Sequence, residues 1–327
     1  MRIRLRWADK NLAPHTTKIF RSDTQPTGSP TGTPLVTLTN GETTWDDTTV
    51  VRGNVYWYTF EVSNATNKVA SVPVQVTALP RTGPGVQEPV WGDQDWGFYG
   101  VLDEASFLSS SRLFSQFAPG GIVNPTANTW HKWVRNGKTL FVPRRAVSYS
   151  VVWNTLYSKG LVFGVSGPGP QKAANPEKDQ LTTFQLGSDE FIVRLPTGFA
   201  DADNPTRLIP AGATTSAAGP YRKDSEVADL FWAPISLFPT ERNKAMNGTD
   251  LWIVPSQTGM YYSLSGCRPI CQELTTALNT IHAPNPYTSD TDLTNPYAST
   301  AYGVGATDTA LGWWPILELI ETLEVVI

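Results

Sequence analysis

Apolar and polar residues alternate from the first residues of the chain: Ile3, Leu5 and Trp7 face one way, Arg2, Arg4 and Arg6 the other. A period of two with one apolar face is the mark of a half-buried strand. TKIFRS follows as a second short strand. PLVTLTNGETTWDD gives another, with Asn40-Gly41 as its turn signal. GNVYWYTFEVSN alternates Val55, Trp57, Thr59 and Glu61 against Tyr56, Tyr58, Phe60 and Val62, and ASVPVQVTAL closes the set. Short strands at this spacing predict a β-sandwich over residues 1–80. PRTGPGVQEP has no periodicity and is rich in Pro and Gly, so 81–90 reads as a linker.

Residues 91–327 follow a different pattern. DEASFLSSSRLFSQF predicts a short helix and GKTLFVP a strand. SYSVVWNTLYSKG predicts a helix capped by Ser148 and ended by Gly160. LVFGV and EFIVRLPTG read as buried strands. DSEVADLFW reads as a helix with Asp224 or Ser225 at its cap and Glu226 in its first turn. TDLWIVP predicts a strand, CQELTTALNTIH a helix, and GWWPILELIE a mostly buried strand. No regular βαβ rhythm appears, so this part is expected to be an α+β domain with short strands, short helices and long loops. AGATTSAAGP and APNPYTSDTDLTNPYAST are polar, low-complexity runs expected in surface loops.

One stretch, WHKWVRNGKTLFVPRRAVSYSVVWN, interleaves basic and aromatic residues and holds His131. Its Asn136-Gly137 is a strong signal for a two-residue type I′ turn. With that turn, Arg135 lies opposite Lys138, Trp133 opposite Leu140 and His131 opposite Val142; Val134 meets Thr139, and Lys132 meets Phe141. Pro143 makes the strand an edge there or ends it. The basic residues then fall on both faces and a connection, which argues for a hairpin of the core rather than a binding patch. Arg144 and Arg145 are left as candidate partner contacts.

Composition narrows the chemistry. The chain has 327 residues, 17% charged, with 25 Lys and Arg against 29 Asp and Glu for a net charge of −4. That balance argues against a nucleic-acid partner. No window approaches the apolar length of a membrane span, and the start lacks the apolar core of a signal peptide, so no membrane insertion is expected and the chain is read as made in the cytosol. No Gly-x-Gly-x-x-Gly or P-loop appears, the three histidines His15, His131 and His282 show no ligand spacing, and no cofactor or metal is expected. Cys267 and Cys271 read as two thiols or as a bridge closing a tiny loop. The loop carboxylates Asp93, Asp95, Asp189, Glu190, Asp201, Asp203, Asp290 and Asp292 lack the pattern of a calcium loop and read as solvated charge, with calcium as the alternative. Trp91, Trp96, Tyr99, Trp313 and Trp314 are candidates for stacking on a sugar ring, set against the alternative of packing over turns.

Two resemblances add to these readings. LRWAD, KIFRSD, TTWDDTTVVRGNVYWYTFEVSN and ASVPVQV, across Met1–Leu79, resemble the strands of a fibronectin type III domain. The resemblance implies that Trp7 is core and that Tyr56 is a tyrosine corner. NGKTLFVPRR, WNTLYSKGLVFG, FIVRLPTG, SEVADLFWAPIS and LGWWPILELIE are similar to the carboxy-terminal region of tailed-bacteriophage virion proteins. In those proteins a Gly-Trp-Arg-Pro-like ending is expected, and here Trp314 stands in the place of the Arg. The ending also resembles C-type-lectin-like domains of the formylglycine-generating type, whose catalytic cysteines have no match at Cys267 and Cys271. Together the resemblances imply a virion structural protein of the tail, baseplate, neck or a capsid appendage, and not an enzyme. Such a protein would contact other virion proteins and further copies of itself, and would take part in host adsorption. The alternatives are a module binding a host glycan or receptor, and a cell-envelope-degrading enzyme.

Overall fold

The computed structural model describes residues 1–9, 14–79, 82–125, 127–170, 176–198, 208–209, 225–232, 268–272, 274–275, 280–284, 299–303 and 311–326. The chain is β-rich, with 40% strand against 9% helix, and its several sheets are consistent with a β-sandwich. In chain order the first strands are β1 (Arg2–Arg6), β2 (Thr16–Ser22), β3 (Val36–Leu38), β4 (Thr44–Asp47), β5 (Val55–Ser63), β6 (Lys68–Ala70) and β7 (Val74–Thr77). Next come β8 (Trp91–Gly92), β9 (Trp96–Asp103), helix α1 (Ser110–Phe117), β10 (Ile122–Val123), β11 (Thr129–Arg135) and β12 (Lys138–Pro143). They are followed by β13 (Ser148–Tyr149), helix α2 (Trp153–Ser158), β14 (Thr183–Leu186), β15 (Asp189–Arg194), β16 (Leu208–Ile209) and a π-helical turn, Val227–Trp232. The last strands are β17 (Arg268–Pro269), β18 (Leu274–Thr275), β19 (Thr280–Pro284), β20 (Ser299–Gly303), β21 (Leu311–Trp313), β22 (Ile316–Ile320) and β23 (Thr322–Val326).

Two compact units emerge, one of Met1–Gly83 with Ser188–Glu190 and Ile320–Ile327, the other of Pro84–Gly187 with Phe191–Leu319. The first unit therefore gathers pieces that a linear division at 81–90 leaves in the later part. Its two sheets run β23-β1-β4 and β3-β2-β5-β6, with β7 also pairing β5. The alternation at the start of the chain is kept: Ile3 and Leu5 are buried, and the arginines between them point out to carboxylates. Tyr56, Tyr58, Phe60, Val76 and Ile19 complete the apolar layer, with Trp7 half-buried and edge-on to Phe60 at 5.1 Å. Leu323 and Val325 of β23 pack onto the same layer. Asn40-Gly41 lies between β3 and β4, which belong to different sheets, so this Asn-Gly turns a crossover and not a hairpin.

At the end of β4, Asp47 is buried and fully engaged. Its carboxylate accepts from Arg21 at 2.7 Å, from the Tyr58 hydroxyl at 2.8 Å, and from the amide and hydroxyl of Thr49 at 3.0 and 2.8 Å. Burial raises its pKa, but the Tyr58 and Thr49 hydrogen bonds and the Arg21 charge outweigh that and hold it below the usual range. The Tyr56 hydroxyl accepts the Val51 amide at 2.9 Å, tying the start of β5 back to the corner before it.

The second unit is built on the sheet β14-β15-β22-β12-β11-β9-β8, with a smaller sheet β10-β13-β21-β17 and another, β16-β18-β19-β20. Trp130, Phe141, Phe107, Trp153, Tyr157 and Phe191 dominate its core. Helix α1 is capped by Ser109, whose hydroxyl accepts the Arg112 amide. Helix α2 starts later than expected: its cap is Val152, while Ser148 lies in β13 and pairs with Trp313. The ladder wins because it satisfies backbone groups that a cap would leave open. Gly160 does end α2, at φ 75°. Leu161, Val162 and Phe163 are buried as expected, but in an irregular segment rather than a strand. Gln180 takes the place of a neighbouring strand there, accepting the Val162 amide at 3.2 Å and donating to the Tyr157 carbonyl at 3.0 Å. Within CQELTTALNTIH, in place of the expected helix, Leu274–Thr275 form β18 and residues 280–282 begin β19, while Cys271 and Gln272 are irregular. The strand expected for TDLWIVP, the cap residue Asp224 and most of the two low-complexity runs lie outside the described residues.

Candidate functional site

The basic-aromatic stretch forms the middle of the large sheet. Asn136 (φ 51°) and Gly137 (φ 69°) are both left-handed, as a type I′ turn requires. The register is Arg135↔Lys138, Val134↔Thr139, Trp133↔Leu140, Lys132↔Phe141 and His131↔Val142. β12 is not an edge, because Leu140 and Phe141 also pair with β22; it stops at Pro143. His131 and Trp133 are buried on one face, near Phe98 at 5.9 and 4.9 Å between ring centroids.

Lys132 is wholly buried on the other face. Its Nζ donates to the carbonyls of Pro84 at 2.8 Å and Val86 at 2.6 Å, and lies 5.6 and 5.8 Å from the ring centroids of Tyr99 and Phe141. Two carbonyl dipoles and two ring faces thus replace the water this ammonium loses on burial.

A second charged cluster joins five elements. Arg194 of β15 donates through Nη1 and Nη2 to Glu226 at 2.7 and 2.6 Å, and through Nε to Glu318 of β22 at 2.9 Å. The other Glu318 oxygen takes Lys138 of β12 at 2.8 Å. Glu226 also accepts the Thr197 amide at 2.9 Å, while the Thr197 hydroxyl accepts the Glu226 amide at 3.2 Å. On the π-helical turn after Glu226, Asp229 accepts from Arg135 of β11 at 2.7 Å. Burial pushes the Glu226 carboxyl up, but the Arg194 guanidinium and its hydrogen bonds, with the Thr197 amide, hold it well below the usual carboxylate range. Glu318 behaves alike: burial raises it, Arg194 and Lys138 more than offset that, and the net shift is down. A carboxyl acting as a proton donor near neutrality needs a raised pKa. These two are held ionised, each aimed at a fixed cation, so the cluster serves to lock elements together.

Of the seven residues expected to meet a ligand or partner, Trp91 and Trp96 are brought together. They meet edge-on within the β8–β9 hairpin, ring centroids 4.4 Å apart at 81°, and both are half-buried. Asp93 shapes the turn between them by accepting the amides of Asp95 at 2.8 Å and Trp96 at 2.9 Å, and those bonds lower its pKa. Tyr99, Trp313 and Trp314 are buried and present no ring face to a ligand: Tyr99 lies by Lys132, and Trp313 is edge-on to Phe117. Arg144 and Arg145 are half-buried, with their amides bonded to the Thr129 carbonyl at 2.8 Å and the Asn128 side chain at 3.0 Å.

Sequence reasoning passed over Lys132, Arg194, Glu226 and Glu318 as a set. The available signal was a charge inside an otherwise apolar strand, as in FIVRLP and ILELI. Among the described residues no three His, Cys, Asp or Glu side chains gather as a metal site, and no helix is long and apolar enough to cross a membrane. Asp201, Asp203, Asp290, Asp292 and Cys267 lie outside the described residues. Cys271 is buried, and its carbonyl accepts the Trp153 indole N–H at 3.2 Å. Comparison with protein-family models, with curated proteins and with solved structures finds no match to this chain.

Proposed function

We propose that this chain is a structural protein of a tailed-bacteriophage particle, in its tail, baseplate, neck or a capsid appendage. Its first unit is read as a fibronectin type III-like module that attaches or spaces, and its second as a virion-protein domain facing partner proteins or the host. One observation carries the reading: the five phrases that resemble virion proteins are knitted together in space. Lys138, Arg194, Glu226 and Glu318 come from four of them and form one charge cluster. The fifth supplies Val162, whose carbonyl accepts the Leu195 amide at 3.0 Å, and Gly164, where a Cβ would come within 2.8 Å of the Arg194 side chain. Phrases that share a resemblance and also share a core are what a common domain requires. The module reading is supported by the Tyr56 hydroxyl on the Val51 amide, the tyrosine-corner bond of immunoglobulin-like sandwiches. In this reading the protein acts without cofactor or catalysis and assembles as symmetric copies. Mass spectrometry of purified particles tests it: the chain is expected among the components of mature virions, and its absence there would refute the proposal.

A second reading, a glycan-binding module, is favoured by the half-exposed Trp91–Trp96 pair beside the carboxylates of Asp93 and Asp95. Binding on a glycan array that disappears with Trp96→Ala would support it. Retention of all binding by that variant would count against this pair.

A further inference from the structure

The two ends of the described chain meet in one ladder. β1 and β23 run parallel in the register Arg2↔Thr322, Ile3↔Leu323, Arg4↔Glu324, Leu5↔Val325 and Arg6↔Val326. The chain enters β1 at the end of the ladder where Thr322 sits and leaves β23 at the opposite end, beside Arg6. Tension applied ahead of β1 and beyond β23 therefore pulls the strands past each other along their own axes. All the evenly spaced bonds of a parallel pair then share the load, instead of parting one by one.

Both strands are also anchored. β1 is held on its other side by β4 in four register pairs, reinforced by Arg4 gripping Asp46 with two hydrogen bonds of 2.8 and 2.9 Å. The entry to β23 is held by the Arg2 amide on the Glu321 carbonyl at 2.8 Å, by Arg2 Nε on the Thr322 hydroxyl at 2.7 Å, and by Arg52 on the Glu321 carboxylate. Leu323 and Val325 add apolar packing to the core of the unit.

We infer that the β1–β23 ladder is a mechanical clamp against tension applied along the chain. The load path crosses from β1 to β23 directly. Everything between Arg6 and Thr322, the whole second unit included, lies off that path and stays unstretched while the clamp holds. A linker joining two bodies transmits force in this way without deforming the domain it carries. The inference rests on the topology of the first unit and not on the virion reading, so the two fail separately.

The test is single-molecule pulling on the full chain in two geometries. Handles at the two ends shear the ladder. Handles at exposed Ala8 and at the carboxy-terminal end peel it open from the Arg6–Val326 pair. At equal loading rate the shear geometry is expected to rupture at a force roughly twofold or more above the peeling geometry, given bonds loaded together rather than in turn. Clamp rupture is expected to precede any extension of the second unit. Val325→Pro, which removes a backbone donor from β23, is expected to bring the shear force down toward the peeling value. Equal rupture forces in the two geometries would overturn the inference, as would second-unit unfolding before the clamp gives way. Because the geometric comparison leaves the ladder sequence unchanged, it decides the matter even if the proline variant misfolds.

Discussion

Replacing Glu226 by alanine probes the charge cluster most sharply. The substitution removes both acceptors of the Arg194 fork, bonds of 2.7 and 2.6 Å, and the acceptor of the Thr197 amide. The Arg194 side chain is only 7% exposed, so its guanidinium cannot recover water and keeps only Glu318 and the Leu195 carbonyl. Breaking a buried pair on one side costs about 3–5 kcal/mol, whereas replacing both partners by apolar residues is often close to neutral. Glu226→Ala should therefore destabilise the second unit by about 3 kcal/mol or more. Arg194→Met combined with Glu226→Leu should cost much less than the sum of the single changes, leaving a coupling of about 2 kcal/mol. Urea unfolding followed by tryptophan fluorescence measures both, with the slope checked for constancy. The pH dependence has a definite sign. The folded pKa of Glu226 lies below its unfolded value, so its stabilisation is complete above about pH 4.3 and is lost as pH falls toward the folded pKa. Glu226→Gln should flatten that acid limb. A cost below about 1 kcal/mol for Glu226→Ala, with additive double-mutant energies, would refute the claim that the cluster locks the sheet to the π-helical turn.

Three further expectations follow from single contacts. Tyr56→Phe deletes the hydroxyl that accepts the Val51 amide and should cost the first unit about 1 kcal/mol in thermal or urea unfolding. Gly137→Ala forces a Cβ into a left-handed position at φ 69° and should cost about 1–2 kcal/mol, while Asn136→Gly should cost little; equal effects would contradict the type I′ turn. Lys132→Met removes the charged donor of the Pro84 and Val86 carbonyls from a wholly buried position and should cost the second unit about 2 kcal/mol in urea unfolding.

Local pattern carried much of the architecture. Ile3 and Leu5 alternate with arginines because the strand has one wet face, and Asn136-Gly137 set a register that placed Lys132 opposite Phe141. What local pattern could not carry is pairing over distance. Nothing in TLEVV announces that it lies beside Arg2–Arg6, 320 residues away, because parallel pairing leaves no turn signal between its partners. Asn40-Gly41 looks like Asn136-Gly137 on paper, yet it joins two sheets, since the residues flanking it find other partners. Leu161–Phe163 reads as a strand because burial and strand share an apolar signature; the Gln180 side chain satisfies that backbone instead. The candidate site was legible only at Trp91 and Trp96. Tyr99, Trp313 and Trp314 look identical to them in sequence, and only their depth in the core separates packing from exposure.

The clamp depends on β23 closing the first unit, and native-state hydrogen exchange on the full chain tests that most directly. If β23 is part of the module, its ladder amides in Thr322–Val326 exchange with the same opening free energy as those of Arg2–Arg6, and respond in parallel to Tyr56→Phe. Fast exchange of every β23 amide, alongside continued protection of β1, would show that the module closes without it and would contradict the account.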